Sequence, residues 1–130
     1  MFEFNDGGRA KAGYKGSAGD CGARAMAIAL AMDYQKAYDH IAHANFKHHG
    51  IKSARNGVDR HIYANVLLVF NWLWQPAPKF EGRKAYCSDM PSGIVIARQA
   101  GHYVAIIDGI PHDTWDCSHK MIYGYWIRKS

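Results

Sequence analysis

The spacing of apolar positions changes once along this chain, and the change divides it into two parts. Over residues 21–70 apolar side chains recur every three or four positions. Beyond residue 92 they alternate or form short runs bounded by turn residues. The stretch 21–32 carries Ala25, Ile28, Ala29 and Met32 at helical spacing and is apolar nearly all round. It therefore predicts a buried central helix, with Asp20 as its N-cap. Asp33 caps a second helix that keeps Tyr34, Ala37, Tyr38, Ile41 and Ala42 on one face and frays around Lys47-His48-His49-Gly50. After a break at Asn56-Gly57, residues 58–70 predict a third helix on Val58, Ile62, Val66 and Val69. The β-branched content leaves a strand open from Val66 onward.

Trp72-Leu73-Trp74, closed by Pro76 and Pro78, predicts a short strand, and 79–92 a loop with a brief strand near Ala85-Tyr86. Strands follow at 93–97, 102–107, 110–115 and 121–127. Asp108-Gly109 between two apolar runs is a strong hairpin signal. In the last strand Tyr123, Tyr125 and Ile127 alternate with Ile122, Gly124 and Trp126. The glycine-rich residues 1–20 predict a loop leading to Cys21. Helices first and an antiparallel sheet after make an α+β arrangement. At 130 residues the chain is one domain, 1–130, able to bury a core without staples.

Three widely separated cysteines form no disulfide framework and no CxxC pair, which predicts reduced thiols and a cytoplasmic protein. The N-terminus MFEFNDGGR lacks the apolar run of a signal peptide. The longest apolar stretch, 63–70, falls short of the ~18 residues a membrane span needs. No membrane partner is expected. The net charge of +5 is scattered and interrupted by acids, so it predicts a solvated basic surface. A nucleic-acid binder would need those charges gathered on one face.

Two local patterns carry chemistry. Gly19-Asp20-Cys21-Gly22 puts a cysteine at a helix start, where the helix dipole and unpaired amides favour its thiolate. Gly101-His102-Tyr103-Val104-Ala105 opens a strand with a histidine able to act as base for that thiol. Just downstream, His112-Asp113-Thr114-Trp115-Asp116-Cys117 offers a group to orient the histidine. With a two-residue turn at Asp108-Gly109, Ile107 faces Ile110 and His102 faces Trp115. Asp113 then lies diagonal to His102 on the same face. Asp116 has the opposite parity, and His112 is the other candidate.

The helix-borne Cys21, the strand opening at His102 and the acid on the next strand resemble the papain-like cysteine peptidase superfamily. The texture of GDCGARAMAIAL and GHYVAIIDGIPHDTWDCS is similar to its small bacterial and phage members. The likeness covers the two ends of the chain; residues 45–90 have no assigned counterpart and read as an insertion. The resemblance implies a papain-like α+β fold, with N-terminal helices packed on a C-terminal antiparallel sheet. It also implies a cysteine peptidase or amidase with a catalytic triad of Cys21, His102 and Asp113. Cys21 would attack an amide or isopeptide carbonyl to give a thioester, and its own N–H would be one oxyanion donor. The substrate would be a peptide, a protein or a small amide, and no cofactor is needed. Papain-like enzymes often carry a glutamine shortly before the cysteine, whereas this stretch reads Tyr14-Lys15-Gly16-Ser17-Ala18. Ser17, Lys15, a backbone amide or Asn5 would have to stand in.

A papain-like binding module without activity, gripping a host protein, is the alternative. A zinc site from Cys87, His112, Cys117 and His119 matches none of the usual ligand frames, so no metal is expected. Arg24, one turn into the first helix, is a structural partner for Asp20 or another acid. His48, His49 and His61 are expected to face solvent. The aromatics Trp72, Trp74, Trp115, Tyr123, Tyr125 and Trp126 are expected to pack on the sheet.

Overall fold

The computed structural model describes residues 1–16 and 18–129. In chain order the elements are β1 (Glu3–Phe4), α1 (Cys21–Ala29), α2 (Tyr34–His49), α3 (Arg60–Val69), β2 (Trp72–Pro76), a 3-10 turn (Cys87–Asp89), β3 (Ile94–Gln99), β4 (His102–Ile107), β5 (Ile110–Asp113) and β6 (Gly124–Arg128). This is an α+β fold. Its single six-stranded sheet has the order β1-β5-β4-β3-β6-β2, antiparallel except where the short β1 runs parallel to β5. No helix among the described residues is long and apolar enough to cross a membrane.

Strand alternation divides the core between the two faces of the sheet. Ile96, Tyr103, Ala105 and Trp126 join α1, α2 and α3 on one side. Val95, Ala97, Val104 and Ile106 join Ala85, Cys87, Met90, Cys117 and Ile122 on the other. The central α1 is rich in alanine, with a glycine in its first turn, which lets it lie against both β4 and α2. Gly22 marks a close approach: a Cβ there would sit 3.1 Å from Val58 Cγ1 and 3.3 Å from Tyr63 Cε1. The Tyr63 hydroxyl donates to the Gly22 carbonyl at 2.8 Å, so α3 is locked onto the first turn of α1.

Several boundaries differ from the sequence expectation. α1 ends at Ala29, short of Met32, because Ala31 takes a left-handed conformation (φ 51°). The Met32 amide then bonds back to the Ala27 carbonyl at 2.9 Å, closing a Schellman-type end. Asp20 is not a side-chain cap for α1. α3 begins at Arg60 and stays helical through Val69, and its buried face is Ile62, Tyr63, Val66 and Leu67. Val69 lies roughly a quarter turn off that face at ~100° per residue, and it is 77% exposed. Residues 85–86 form no strand; the segment is held by the 3-10 turn and by Arg83 paired with Asp89 through two nitrogens at 2.8 and 2.9 Å. The glycine-rich entry carries β1, which the loop expectation lacked. β3 runs on to Gln99, β5 stops at Asp113, and β6 starts only at Gly124. α3 and β2, within residues 45–90, build into the main core through Tyr63, Leu67 and Trp72. Of the aromatics expected on the sheet, Trp72 and Trp126 are core, while Trp115 and Tyr123 are exposed.

Candidate active site

The N-terminus of α1 meets the first residue of the interior strand β4, and this brings Cys21 and His102 together. Cys21 is partly exposed; His102 is buried. The β4–β5 hairpin turns through Asp108 (φ 50°) and Gly109 (φ 81°), both left-handed, as a two-residue primed turn requires. Its register pairs Ile107 with Ile110, Ile106 with Pro111 and Ala105 with His112. Asp113 therefore follows on the His102 face, and its Oδ2 lies 2.6 Å from His102 Nε2. His112 takes the opposite face and Asp116 bonds the Ser118 amide; neither hydrogen-bonds His102 among the described residues. Trp115 packs its ring against the imidazole at a centroid distance of 4.9 Å.

Electrostatics favour charge separation between the thiol and the imidazole. Burial pushes the Cys21 thiol up. The hydrogen bond and positive charge of His102, the Tyr103 backbone amide and Arg24 outweigh it, so the thiol lies below its ordinary value. For His102, burial favours the neutral ring, but hydrogen bonds with Asp113, Cys117 and Cys21 raise it to about 11. Both shifts favour a thiolate–imidazolium pair. With Nε2 committed to Asp113, Nδ1 is the nitrogen left for Cys21.

Asp20, beside the thiol, is the hub of a buried ionic network. Its carboxylate accepts from Arg9 Nε at 2.8 Å, from Arg24 Nη1 at 2.7 Å and from the Tyr34 hydroxyl. Arg24 reaches on to Asp113 Oδ1 at 3.4 Å. Arg24 thus links the acid beside the thiol with the acid beside the imidazole. Because Asp20 spends its oxygens on these partners, no side chain caps α1, and its first amides keep no intrahelical partner.

Arg9 and Tyr34 had no local signal in the sequence, since each acts across many residues. Asn5 and Lys15 do not reach the site as amide donors. Asn5 Oδ1 caps the Gly7 amide, Lys15 is exposed, and Ser17 lies outside the described residues. An open cleft of about 620 Å³ leads away from Cys21 and His102 along Gly19, Asn56, Arg60, Arg98 and Tyr103. Its 53–57 rim is held by Asn45 Nδ2, which donates to the Ser53 and Gly57 carbonyls at 2.7 and 3.1 Å.

Cys87, His112, Cys117 and His119 do not converge as a ligand set among the described residues. Among the described residues the convergent potential ligands are His102, Asp113 and Cys117, within 4.8 Å of one another, without His112 or His119. Cys117 and Cys87 are buried next to each other behind the imidazole. Their mutual hydrogen bond, with burial, raises Cys117, and the same bond outweighs burial to lower Cys87. No family model, no curated protein and no solved structure matches this chain.

Proposed function

We propose that the protein is a cysteine hydrolase of papain-like type, a peptidase or amidase, using Cys21, His102 and Asp113. The observation that carries the reading is the short His102–Asp113 hydrogen bond behind a thiol held low beside the imidazole. In the reaction the Cys21 thiolate attacks an amide or isopeptide carbonyl carbon. The oxyanion forms against the Cys21 N–H and the dipole of α1. His102, protonated on Nδ1, gives that proton to the departing amine as the C–N bond breaks, leaving a thioester. Water then attacks the thioester while the neutral imidazole takes its proton. The acid leaves and the thiolate–imidazolium pair is restored. Asp113 keeps Nε2–H directed toward itself and stabilises the imidazolium throughout.

Reaction with p-nitrophenyl acetate followed by intact mass spectrometry tests this. The expected result is an acetyl group on Cys21 that forms and then hydrolyses, with acylation lost in Cys21→Ala and turnover lost in His102→Ala. An acyl group that never leaves, or acylation independent of His102, would point instead to an inactive binding module on the same scaffold.

A further inference from the structure

The cleft beside Cys21 carries two guanidinium groups that the fold does not use. Arg9, Arg24 and Arg83 each hold a carboxylate of the chain. Arg60 and Arg98, by contrast, make no ion pair and no side-chain hydrogen bond among the described residues, although both line the cleft with Cys21 and Tyr103. Neither is a loose surface side chain. Each is half-buried, and each is set against an aromatic ring: Arg60 over Trp74 at 5.5 Å and Arg98 over Tyr123 at 5.1 Å. Each ring holds its guanidinium beside the cleft, where the paired N–H donors of arginine match a carboxylate. Arg98 is cross-strand partner to Tyr103, whose amide supports the Cys21 thiolate. Both arginine charges also act on the Tyr103 hydroxyl, against burial, Cys21 and Asp59, which raise it. Both cations lie along the cleft wall that Tyr103 shares. The rim acid Asp59 has an oxygen engaged by His49 at 3.1 Å.

From these contacts we infer that Arg60 and Arg98 form an anion subsite, so that the preferred substrate is a peptide with a carboxylate close to its scissile carbonyl. The inference rests on the cysteine hydrolase reading of the same cleft. Its test compares alkylation of Cys21 by iodoacetate with alkylation by iodoacetamide, in wild type, Arg60→Gln, Arg98→Gln and Lys36→Gln. The neutral reagent corrects for any change in thiolate content. Lys36 lies on the opposite pocket, so it corrects for overall charge. The expected result is a ratio that falls about threefold or more in each arginine variant and stays at the wild-type value in the lysine variant. Equal ratios in all four proteins would overturn the subsite while leaving the catalytic reading intact.

A second measurement does not depend on thiol chemistry. A fluorescein-labelled Ala-Glu repeat peptide and its Ala-Gln counterpart are titrated onto Cys21→Ser. The expected result is tighter binding of the acidic peptide, with the preference reduced by Arg60→Gln and Arg98→Gln. If Cys21 reacts with neither reagent, the hydrolase reading fails and this titration decides the subsite by itself. No preference for the acidic peptide, or tighter binding of a single-stranded oligonucleotide of the same charge, would overturn it.

Discussion

Asp20 places a negative charge next to Cys21, which by itself would hold the thiol protonated. Two guanidinium groups and a phenol face that carboxylate, so its field is largely spent before it reaches the sulfur. Removing Arg24 exposes both acids it serves. Arg24→Gln is expected to lower stability by about 3 kcal/mol, the cost of leaving a buried carboxylate short of its partner, as read by urea unfolding. The same variant should raise the pH at which Cys21 alkylates. Asp113→Asn keeps a polar contact with His102 but removes the charge, and is expected to slow hydrolysis by ~10² or more. Wild-type turnover in that variant would show that Asp113 is a structural partner only. Asp113 was legible in the sequence because a two-residue turn fixes register, and register fixes which side chains share a face. Of the Arg9–Asp20–Arg24–Asp113 network only the Arg24–Asp20 pair, one helical turn apart, was legible, because no periodicity connects residues 9, 20 and 113.

At the scale of elements, the site depends on how closely α1 approaches its neighbours. Gly22→Ala puts a methyl group 3.1 Å from Val58 Cγ1 and against the Tyr63 ring. It is expected to cost about 1–3 kcal/mol through overpacking and to reduce Cys21 reactivity by shifting α1 relative to β4. Thermal unfolding and alkylation rates, measured together, check both halves. Asn45→Ala leaves the Ser53 and Gly57 carbonyls without their donor. The expected outcome is faster proteolytic nicking of the 53–57 rim in the native protein. All three helices and the β4–β5 hairpin could be read from apolar spacing and from Asp108-Gly109. Element ends were less legible where a left-handed residue decided them. Ala31 stops α1 in a conformation that alanine seldom adopts, so nothing in the local sequence announced it. β1 was hidden for another reason: two residues hydrogen-bonded to a strand more than 100 positions away have no periodicity of their own.

Over the whole molecule, the thiolate–imidazolium pair ties stability to pH from both sides. His102 is raised from 6.5 to about 11, so its contribution is complete below 6.5 and is lost as pH rises through about 11. Cys21 is lowered from 9.0, so its contribution is complete above 9.0 and is lost as pH falls through the lowered value. Between the lowered Cys21 value and 9.0 the two slopes oppose each other. Wild type should therefore keep a constant advantage over a Cys21→Ser/His102→Gln double variant across that window, and lose it as pH rises toward 11. Unfolding free energies at pH 7, 9 and 10.5 check this, and an advantage that grows with alkalinity would contradict it.

The central claim is that a thiolate–imidazolium pair stands at the junction of α1 and β4. The most direct measurement is the pH dependence of iodoacetamide alkylation at Cys21, followed by mass spectrometry in wild type and His102→Ala. Cys87 and Cys117 are buried and provide the unreactive reference within the same molecule. The predicted result is rapid alkylation of Cys21 well below the ordinary thiol value, with the profile moving to higher pH in His102→Ala. A Cys21 that titrates as a free thiol in both proteins, or that does not react in either, would contradict the account.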